Sequence, residues 1–127
     1  MKVGRDKPAS KPAERPVLIM VTAGGRNDAE RLGEGLVEAR VAACCSVIPM
    51  VHSFYYEDGL LKREHESLLL IKTLESRAKA VQEFVLANHS YKVPEIFQIA
   101  IESGLPAYIQ WLADQVVEPT PDRQVTP

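Results

Sequence analysis

The sequence predicts a mixed α+β fold in which strands and helices follow one another as βαββαβ. Three observations lead to this class. Short apolar runs end at turn residues, two segments between them carry apolar residues at helical spacing, and two strand-like segments flank Glu57-Asp58-Gly59. This order is that of the ferredoxin-like split βαβ pattern. We therefore expect an antiparallel sheet with both main helices on one face, and a further helix at the C-terminal end.

The first strand and the first helix follow from residue pattern. PVLIMVTAG is a continuous apolar run that is too short for a typical helix, which predicts a central strand. Residues 27–42 predict a helix, with helical spacing at Ala29, Leu32, Leu36, Val37 and Arg40. Asn27 followed by Glu30 predicts a capping box at its start. Gly33 and Gly35 weaken the helix and indicate that another element packs closely there.

The segment CCSVIPMVHSFYYEDGLLKREHESLLLIKT predicts two long strands joined by one tight turn. β-branched and aromatic residues dominate its first half, and Glu57-Asp58-Gly59 is a hairpin signal. Pro49 lacks a backbone N–H, so it predicts a bulge or an edge in the first of these strands. Both strands exceed the usual length, so we expect the ribbon to lean on something else, such as a second subunit.

The remaining segments complete the pattern. LESRAKAVQEFVLANHS predicts a second helix with one face formed by Leu74, Ala78, Val81 and Val85. EIFQIAIES alternates as a strand does, and LPAYIQWLADQVV predicts a closing helix that begins near Pro106 and buries Tyr108, Ile109, Leu112 and Val116. The second face of the sheet is then apolar, and nothing in the chain is large enough to cover it. Such a surface predicts a partner.

Composition limits the class of protein. The 127 residues suit one domain, and 46% hydrophobic with 25% charged residues suits a globular core. The net charge of -2 gives no basic footprint for nucleic acid. No apolar run approaches a membrane span, and the N-terminus lacks the apolar stretch of a secretory signal. We expect a cytoplasmic protein without nucleic-acid or membrane partners, with a domain at residues 16–117 between disordered tails at 1–15 and 118–127.

Four short motifs carry a resemblance to a known family. VAACCSVIP, YYEDG, LLLIKT and NHSYKVPEI, in this order and spacing, resemble the CutA family of divalent-cation tolerance proteins. The resemblance covers the whole predicted domain. It implies a ferredoxin-like homotrimer, related in shape to the PII signalling proteins, with a role in tolerance of copper and other divalent metals. It also implies no agreed enzymatic activity, so we expect a binding protein without an organic cofactor.

The chain departs from the family pattern at several positions. Val21 stands where the family often has a cysteine, and Met50 stands where it commonly has glycine. The hairpin reads Glu57-Asp58-Gly59-Leu60 in place of Trp-x-Gly-Lys, and His89-Ser90-Tyr91-Lys92 stands in place of His-Pro-Tyr-Glu. These changes remove one candidate thiolate and replace a nearby acid with a lysine.

The resemblance makes Cys44, His89 and Glu95 the candidate metal ligands. A thiolate and a neutral imidazole suit copper or zinc, and a carboxylate can complete the shell. The alternative is structural. His89 would then end the second helix, where a cation is favoured, and Cys44 would be a small buried hydrophobe.

Other residues offer weaker candidate sites. His52 and His65 lie on opposite strands of the predicted hairpin. Together with Glu64 and Glu66 they are a candidate surface metal site; the alternative is that they are solvated on an edge ribbon or lie at a subunit contact. Cys44 and Cys45 are expected to be reduced, because adjacent cysteines rarely pair. Neighbours in a strand point to opposite faces, so these two do not chelate one ion unless a bulge intervenes.

Three other classes of function remain open. Lys72, Tyr91, Lys92 and Glu95 are candidate residues for a PII-like pocket that binds a small metabolite or nucleotide, by analogy of fold alone. Gly24-Gly25 precedes a helix, yet no phosphate-loop fingerprint is present. A Cys44–His89 nucleophile pair lacks an orienting group, so catalysis is the least favoured. A purely structural trimer is the third possibility.

Overall fold

The computed structural model describes residues 15–116. Its elements are β1 (Pro16–Ala23), α1 (Arg26–Glu38), β2 (Cys44–Glu57), β3 (Leu60–Leu74), a 3₁₀ turn (Glu75–Arg77), α2 (Ala78–Asn88), β4 (Ile96–Ala100) and α3 (Pro106–Gln115). Apart from residue 15, the predicted tails lie outside the described residues, as does residue 117. No helix within the described range is long and apolar enough to cross a membrane.

The four strands form one antiparallel sheet in the order β2-β3-β1-β4. β1 pairs along its whole length with β3, and its residues Val17–Val21 also pair with β4. The central strands are therefore the first and third in sequence, and α1 and α2 make the crossovers. This arrangement confirms the predicted ferredoxin-like α+β class.

The main core lies between the sheet and the two helices α1 and α2. Successive side chains in a strand point to opposite faces, and the odd-numbered residues of β1 and β3 point toward the helices. This core includes Val17, Ile19, Val21, Leu69 and Ile71 from the sheet and Ala29, Leu32, Leu36, Val81 and Val85 from the helices. Gly33 lets α1 approach β2, because a Cβ there would lie 3.2 Å from the Cβ of Cys45. A Cβ at Gly35 would lie 2.5 Å from the Phe84 ring. The predicted close packing at both glycines is confirmed.

The other face of the sheet, called the open face below, is mostly apolar and mostly uncovered. It comprises Leu18, Met20, Ser46, Ile48, Leu68, Leu70, Lys72, Phe97 and Ile99, as the strand registers show. α3 packs at one end only, where Leu112 and Val116 meet Ala43 and Leu74. Phe97 remains 58% exposed. The predicted uncovered apolar face is present in the single chain.

The hairpin of β2 and β3 extends beyond the rest of the sheet. Asp58 and Gly59 have φ angles of 54° and 77°, which is the left-handed conformation of a two-residue hairpin turn. The pairing shifts by one residue between Ile48 and Val51, so a bulge is present. The Ser67 hydroxyl donates to the carbonyl of Pro49 at 3.0 Å and fastens this bulge. The predicted turn and bulge are both confirmed.

The first helix ends earlier than its periodicity indicates. Arg40, predicted within the helix, has a φ angle of 63° and lies just beyond it. The N–H groups of Arg40 and Val41 donate to the carbonyls of Val37 and Leu36. This pattern is a Schellman motif, which usually contains glycine at the position that Arg40 occupies. The left-handed residue terminates the helix although no glycine signals it.

Two other local predictions are corrected. The N-cap of α1 is Gly25, and no side chain caps the helix. Asn27 therefore lies within the first turn rather than before it, and Glu30 forms an ion pair with Arg26 at 3.7 Å. The predicted capping box is wrong, because a capping side chain must precede the first turn. Leu74, predicted on the second helix, ends β3 and packs with α3.

Candidate functional site

His89 occupies the edge of β1 just where β4 stops pairing with it. The carbonyl of Pro16 accepts from the N–H of Ile101, so the backbone groups of even-numbered residues in β1 point toward β4. The carbonyl of Thr22 also points toward β4. Thr22 lies one residue beyond Val21, which forms the last β1–β4 pair with Ile96. His89 Nε2 lies 2.7 Å from this carbonyl oxygen. The imidazole thus supplies the hydrogen bond to β1 that β4 would make if the pairing continued to Thr22.

The two ring nitrogens of His89 have different hydrogen-bond roles. A carbonyl only accepts, so Nε2 carries the proton and donates to Thr22. Nδ1 accepts from the backbone N–H of Tyr91 at 3.0 Å. These two bonds select the neutral ring with the proton on Nε2. His89 becomes a metal ligand only if Nδ1 releases the Tyr91 N–H.

Tyr91 extends this arrangement to the hairpin. Its ring packs against the His89 ring, with centroids 4.8 Å apart, and its hydroxyl donates to Glu66 at 3.0 Å. Burial raises the pKa of Tyr91 to about 12, with further contributions from the hydrogen bond to Glu66 and the negative charges of Glu66 and Glu64. The phenol therefore stays protonated at neutral pH and keeps donating.

A second tyrosine–glutamate pair lies beside the first. The Tyr55 hydroxyl donates to Glu64 at 3.0 Å, and this hydrogen bond raises the pKa of Tyr55. Glu64 and Glu66 share the face of β3 that continues the open face, as their alternation with Leu68 requires. We call His89, Tyr91, Glu66, Glu64 and Tyr55 the end cluster. No sequence motif indicates the role of Tyr55, although the hairpin turn fixes the strand register that places Tyr55 near Glu64.

A cleft of about 340 Å³ adjoins the end cluster on the helix side. It lies between the start of α1 and the end of α2, and its lining is Ala23, Asp28, Arg31, Leu32, Ala87, Asn88, His89 and Ser90. Arg31 donates to Asp28 at 2.8 Å within it. The guanidinium charge in the cleft is therefore already balanced by a carboxylate.

The two cysteines face opposite sides of the sheet, as predicted, and both are free thiols. Cys44 lies on the side of the open face, where the Lys72 ammonium donates to the Ser46 hydroxyl at 2.5 Å and lies 3.9 Å from the Cys44 sulfur. Cys45 packs against the main core. Burial raises the pKa of Cys45 to about 12, aided by the Cys44 charge and opposed by Lys72.

The structure brings His89 and Glu95 to the same end of the sheet. Glu95 directly precedes Ile96, which pairs with Val21. The next residue of β1, Thr22, accepts the hydrogen bond of His89. Two of the three predicted metal ligands therefore lie around one backbone position.

Cys44 lies at the other end. It pairs with Lys72, which in turn pairs with Leu18, four residues along β1 from Thr22. Four residues of strand span about 13 Å. The Tyr91 hydroxyl binds Glu66, which lies six residues and about 20 Å along β3 from Lys72, so the residues proposed for a metabolite pocket do not all converge either. Within residues 15–116, no three His, Cys, Asp or Glu side chains gather closely enough to hold a metal ion.

Comparison with known proteins identifies the family. A family model described as CutA1 divalent ion tolerance protein matches residues 17–115. The chain belongs to the CutA1 family. A CutA homolog from Xenopus laevis is 41% identical over 98 residues, which are 77% of this chain and 65% of that protein. The divalent-cation tolerance protein CutA of Archaeoglobus fulgidus is 35% identical over 101 residues, or 80% of this chain and 97% of that protein.

Solved CutA structures share the fold. CutA1 from Oryza sativa has a TM-score of 0.82 at 32% identity, over 85% of this chain and 99% of that one. The periplasmic divalent cation tolerance protein CutA from Archaeoglobus fulgidus has a TM-score of 0.78 at 31% identity, over 80% and 99%. The chain spans less than two thirds of several curated relatives, such as 58% of the chloroplastic CutA 1 of Oryza sativa.

Proposed function

We propose that this protein serves divalent-cation tolerance by binding a divalent metal, copper or a similar ion, stoichiometrically and without catalytic turnover. Membership of the CutA1 divalent ion tolerance family over residues 17–115 is the observation that carries the proposal. Cys44, His89 and Glu95 supply sulfur, nitrogen and oxygen donors, a set that suits copper or zinc. A cytoplasmic location belongs to the same proposal, although named relatives include chloroplastic and periplasmic proteins.

The working form in this proposal is a homotrimer. Its support is the open face, where Phe97 and Ile99 are 58% and 48% exposed in the single chain. Burial of apolar surface stabilises an assembly by about 25 cal/mol per Å² before association costs are subtracted. A second copy brings a face of the same chemistry, and the number of three comes from the family resemblance.

The proposed metal site is shared between subunits. Cys44 lies near one end of the sheet, whereas His89 and Glu95 lie at the other. One chain therefore cannot supply all three ligands to one ion without unfolding the sheet. Neighbouring copies related by rotation can bring opposite ends of two sheets together. In this arrangement His89 exchanges its bond from the Tyr91 N–H for the metal.

Native mass spectrometry tests the proposal. The metal-free protein is titrated with Cu(II) and then Zn(II), beside the variants Cys44→Ala and His89→Ala. We expect a trimer that takes up a fixed number of ions per subunit, with fewer ions in each variant. Mixing the two variants before refolding should restore part of the uptake, because a mixed trimer contains at least one intact shared site. A trimer that takes up no ion would contradict the metal-binding proposal.

The cleft beside His89 supports a second candidate function. Its volume of about 340 Å³ is near the lower end of small-molecule sites. A PII-like sensor would place a small metabolite or nucleotide there. Titration with ATP, followed by the backbone NMR signals of Asn88, His89 and Ser90, tests this candidate. Unchanged signals at millimolar ATP would exclude a nucleotide in this cleft.

A further inference from the structure

His52 and His65 form a pair outside the sites described above. They lie directly opposite each other on β2 and β3, with ring centroids 4.5 Å apart and ring planes tilted by 58°. Both residues are exposed. Within the described part of the chain, the ring contact is the one interaction that either imidazole makes. Their nitrogen lone pairs are therefore available to a ligand, unlike those of His89.

The ring separation matches a bidentate metal chelate. An imidazole centroid lies about 3.2 Å from a metal that its nitrogen binds at about 2.1 Å. Two such rings at a right angle around the metal have centroids about 4.5 Å apart, and at a tetrahedral angle about 5.2 Å apart. The observed 4.5 Å corresponds to adjacent corners of a square-planar or tetragonal site.

We propose that His52 and His65 chelate one Cu(II) ion per chain on the β-hairpin. Imidazole nitrogen and tetragonal geometry both favour Cu(II), and Cu(II) also stands above Ni(II) and Zn(II) in the Irving–Williams order. Water completes the plane, since the pair is exposed. The site is distinct from the Cys44, His89 and Glu95 set, so the protein has a metal-binding surface that does not depend on a second subunit.

The hairpin sets the spacing of the two side-chain attachment points before the metal arrives. Regular pairing continues on both sides, from Val51–Glu66 to Glu57–Leu60. Cross-strand neighbours in such a ladder keep their Cβ atoms about 5 Å apart. The nearest cation on the same face, Arg63, lies over the Phe54 ring at 5.5 Å from its centroid. A metal ion thus meets two side chains whose Cβ spacing the backbone has already set.

Electron paramagnetic resonance of Cu(II) added to the metal-free full-length chain tests the site. We expect a tetragonal signal with nitrogen splitting in the wild type. His52→Ala and His65→Ala should each weaken Cu(II) binding at least about tenfold, which corresponds to 1.4 kcal/mol. The double change His52→Ser with Ser53→His keeps the composition but moves the imidazole to the opposite face, and should lose binding equally. Ser53→Ala is the matched control and should bind as the wild type does.

The outcomes separate this site from the proposed intersubunit site. Loss of the signal in the His52 and His65 variants, with retention in the double variant Cys44→Ala/His89→Ala, supports the hairpin chelate and counts against the intersubunit ligands for Cu(II). Retention in His52→Ala with loss in the double variant overturns the hairpin chelate and leaves the proposed function standing. Tighter binding of Zn(II) than of Cu(II) would also overturn the tetragonal assignment. Circular dichroism confirms that each variant is folded.

Discussion

The two faces of the sheet have similar apolar residues and different surroundings. On the helix side, Leu69 and Val21 are fully buried within a continuous core. On the open face, Phe97 and Ile99 remain about half exposed. Adjacent residues in one strand therefore have different roles. The residues on the helix side stabilise the fold, whereas those on the open face are available for contacts with another molecule. The following experiments test that difference, beginning with the largest expected effect.

Leu69 and its neighbour Leu70 provide the first test. Leu69→Ala removes a fully buried side chain and should lower the free energy of unfolding by about 2–5 kcal/mol. Leu70→Ala, on the open face, should cost about 1 kcal/mol or less in the isolated fold. Urea unfolding at matched protein concentration measures both. Equal losses at a protein concentration where the chain is monomeric would contradict the different burial of the two residues; equal losses in the assembled protein alone would mean that association buries Leu70.

Phe97 and Gln98 test the association role of the open face. Phe97→Lys adds a charge to this face and should weaken the proposed homotrimer, raising its dissociation constant at least about tenfold. Gln98→Lys adds the same charge to the helix side of the same strand and should leave the assembly intact. Sedimentation velocity distinguishes the two results. A Phe97→Lys trimer as tight as the wild type would rule out the open face as the contact surface.

The reactivities of Cys44 and Cys45, which lie on opposite faces of the sheet, test the difference in burial between the faces. Burial raises the pKa of Cys45 to about 12. At about pH 8 almost none of this cysteine is therefore thiolate, the reactive form. The Cys44→Ser protein should therefore label with a thiol reagent at least about a hundredfold more slowly when folded than when unfolded. Cys45→Ser, which retains Cys44, is the matched comparison. Rapid labelling of folded Cys44→Ser would contradict the burial of Cys45.

The Cys45 shift also predicts the direction of a pH effect. Its pKa is raised in the folded state, so folding favours the neutral thiol. This contribution to stability is fully present below pH 9 and is lost as the pH rises toward about 12. Cys45→Ala should flatten the fall in stability over this window. Unfolding midpoints measured along an alkaline series, with Cys44→Ala as control, provide the comparison.

The smallest expected effect concerns the end cluster. Tyr91→Phe removes the hydroxyl that donates to Glu66 and should destabilise the fold by about 1 kcal/mol or less, because both residues are partly exposed. Tyr55→Phe removes the corresponding bond to Glu64 and should have a similarly small effect, since Tyr55 is also partly exposed. Thermal unfolding measures both. A loss above about 3 kcal/mol for either would mean that the end cluster supports the core.

The sequence predicts the fold where local chemistry decides the structure. Asp58 and Gly59 determine the hairpin because the turn needs left-handed residues. Arg40 takes the same conformation at the end of α1, but an arginine gives no such signal, so the helix is predicted too long. Leu74 satisfies either a strand end or a helix face, and only its packing with α3 decides between them.

The candidate sites were predictable to different degrees for the same reason. The pairing of His52 with His65 follows from counting residues outward from the hairpin turn, because the bulge lies beyond His52 and does not disturb that count. The contact of Tyr91 with Glu66 joins residues 25 positions apart through a loop that has no regular period. The distance between Cys44 and His89 depends on the order of strands in the sheet. The short sequence motifs around these two residues do not encode that order.

The bulge between Ile48 and Val51 has a consequence for how insertions and deletions act on the hairpin. Before it, paired residue numbers on β2 and β3 sum to 116, as in Ile48 with Leu68; after it they sum to 117, as in His52 with His65. The rest of the sheet sets the β2–β3 register before the bulge, and the hairpin turn sets the register after it. The extra residue in β2 accounts for the difference of one between these two registers. Deleting Met50 would leave Pro49 alone opposite Ser67, so the two alignments would merge into one regular ladder and His52 would still face His65. Deleting Ser53 instead, with the bulge lost and the turn unchanged, would move His52 opposite Glu64 and so to the other face of the hairpin.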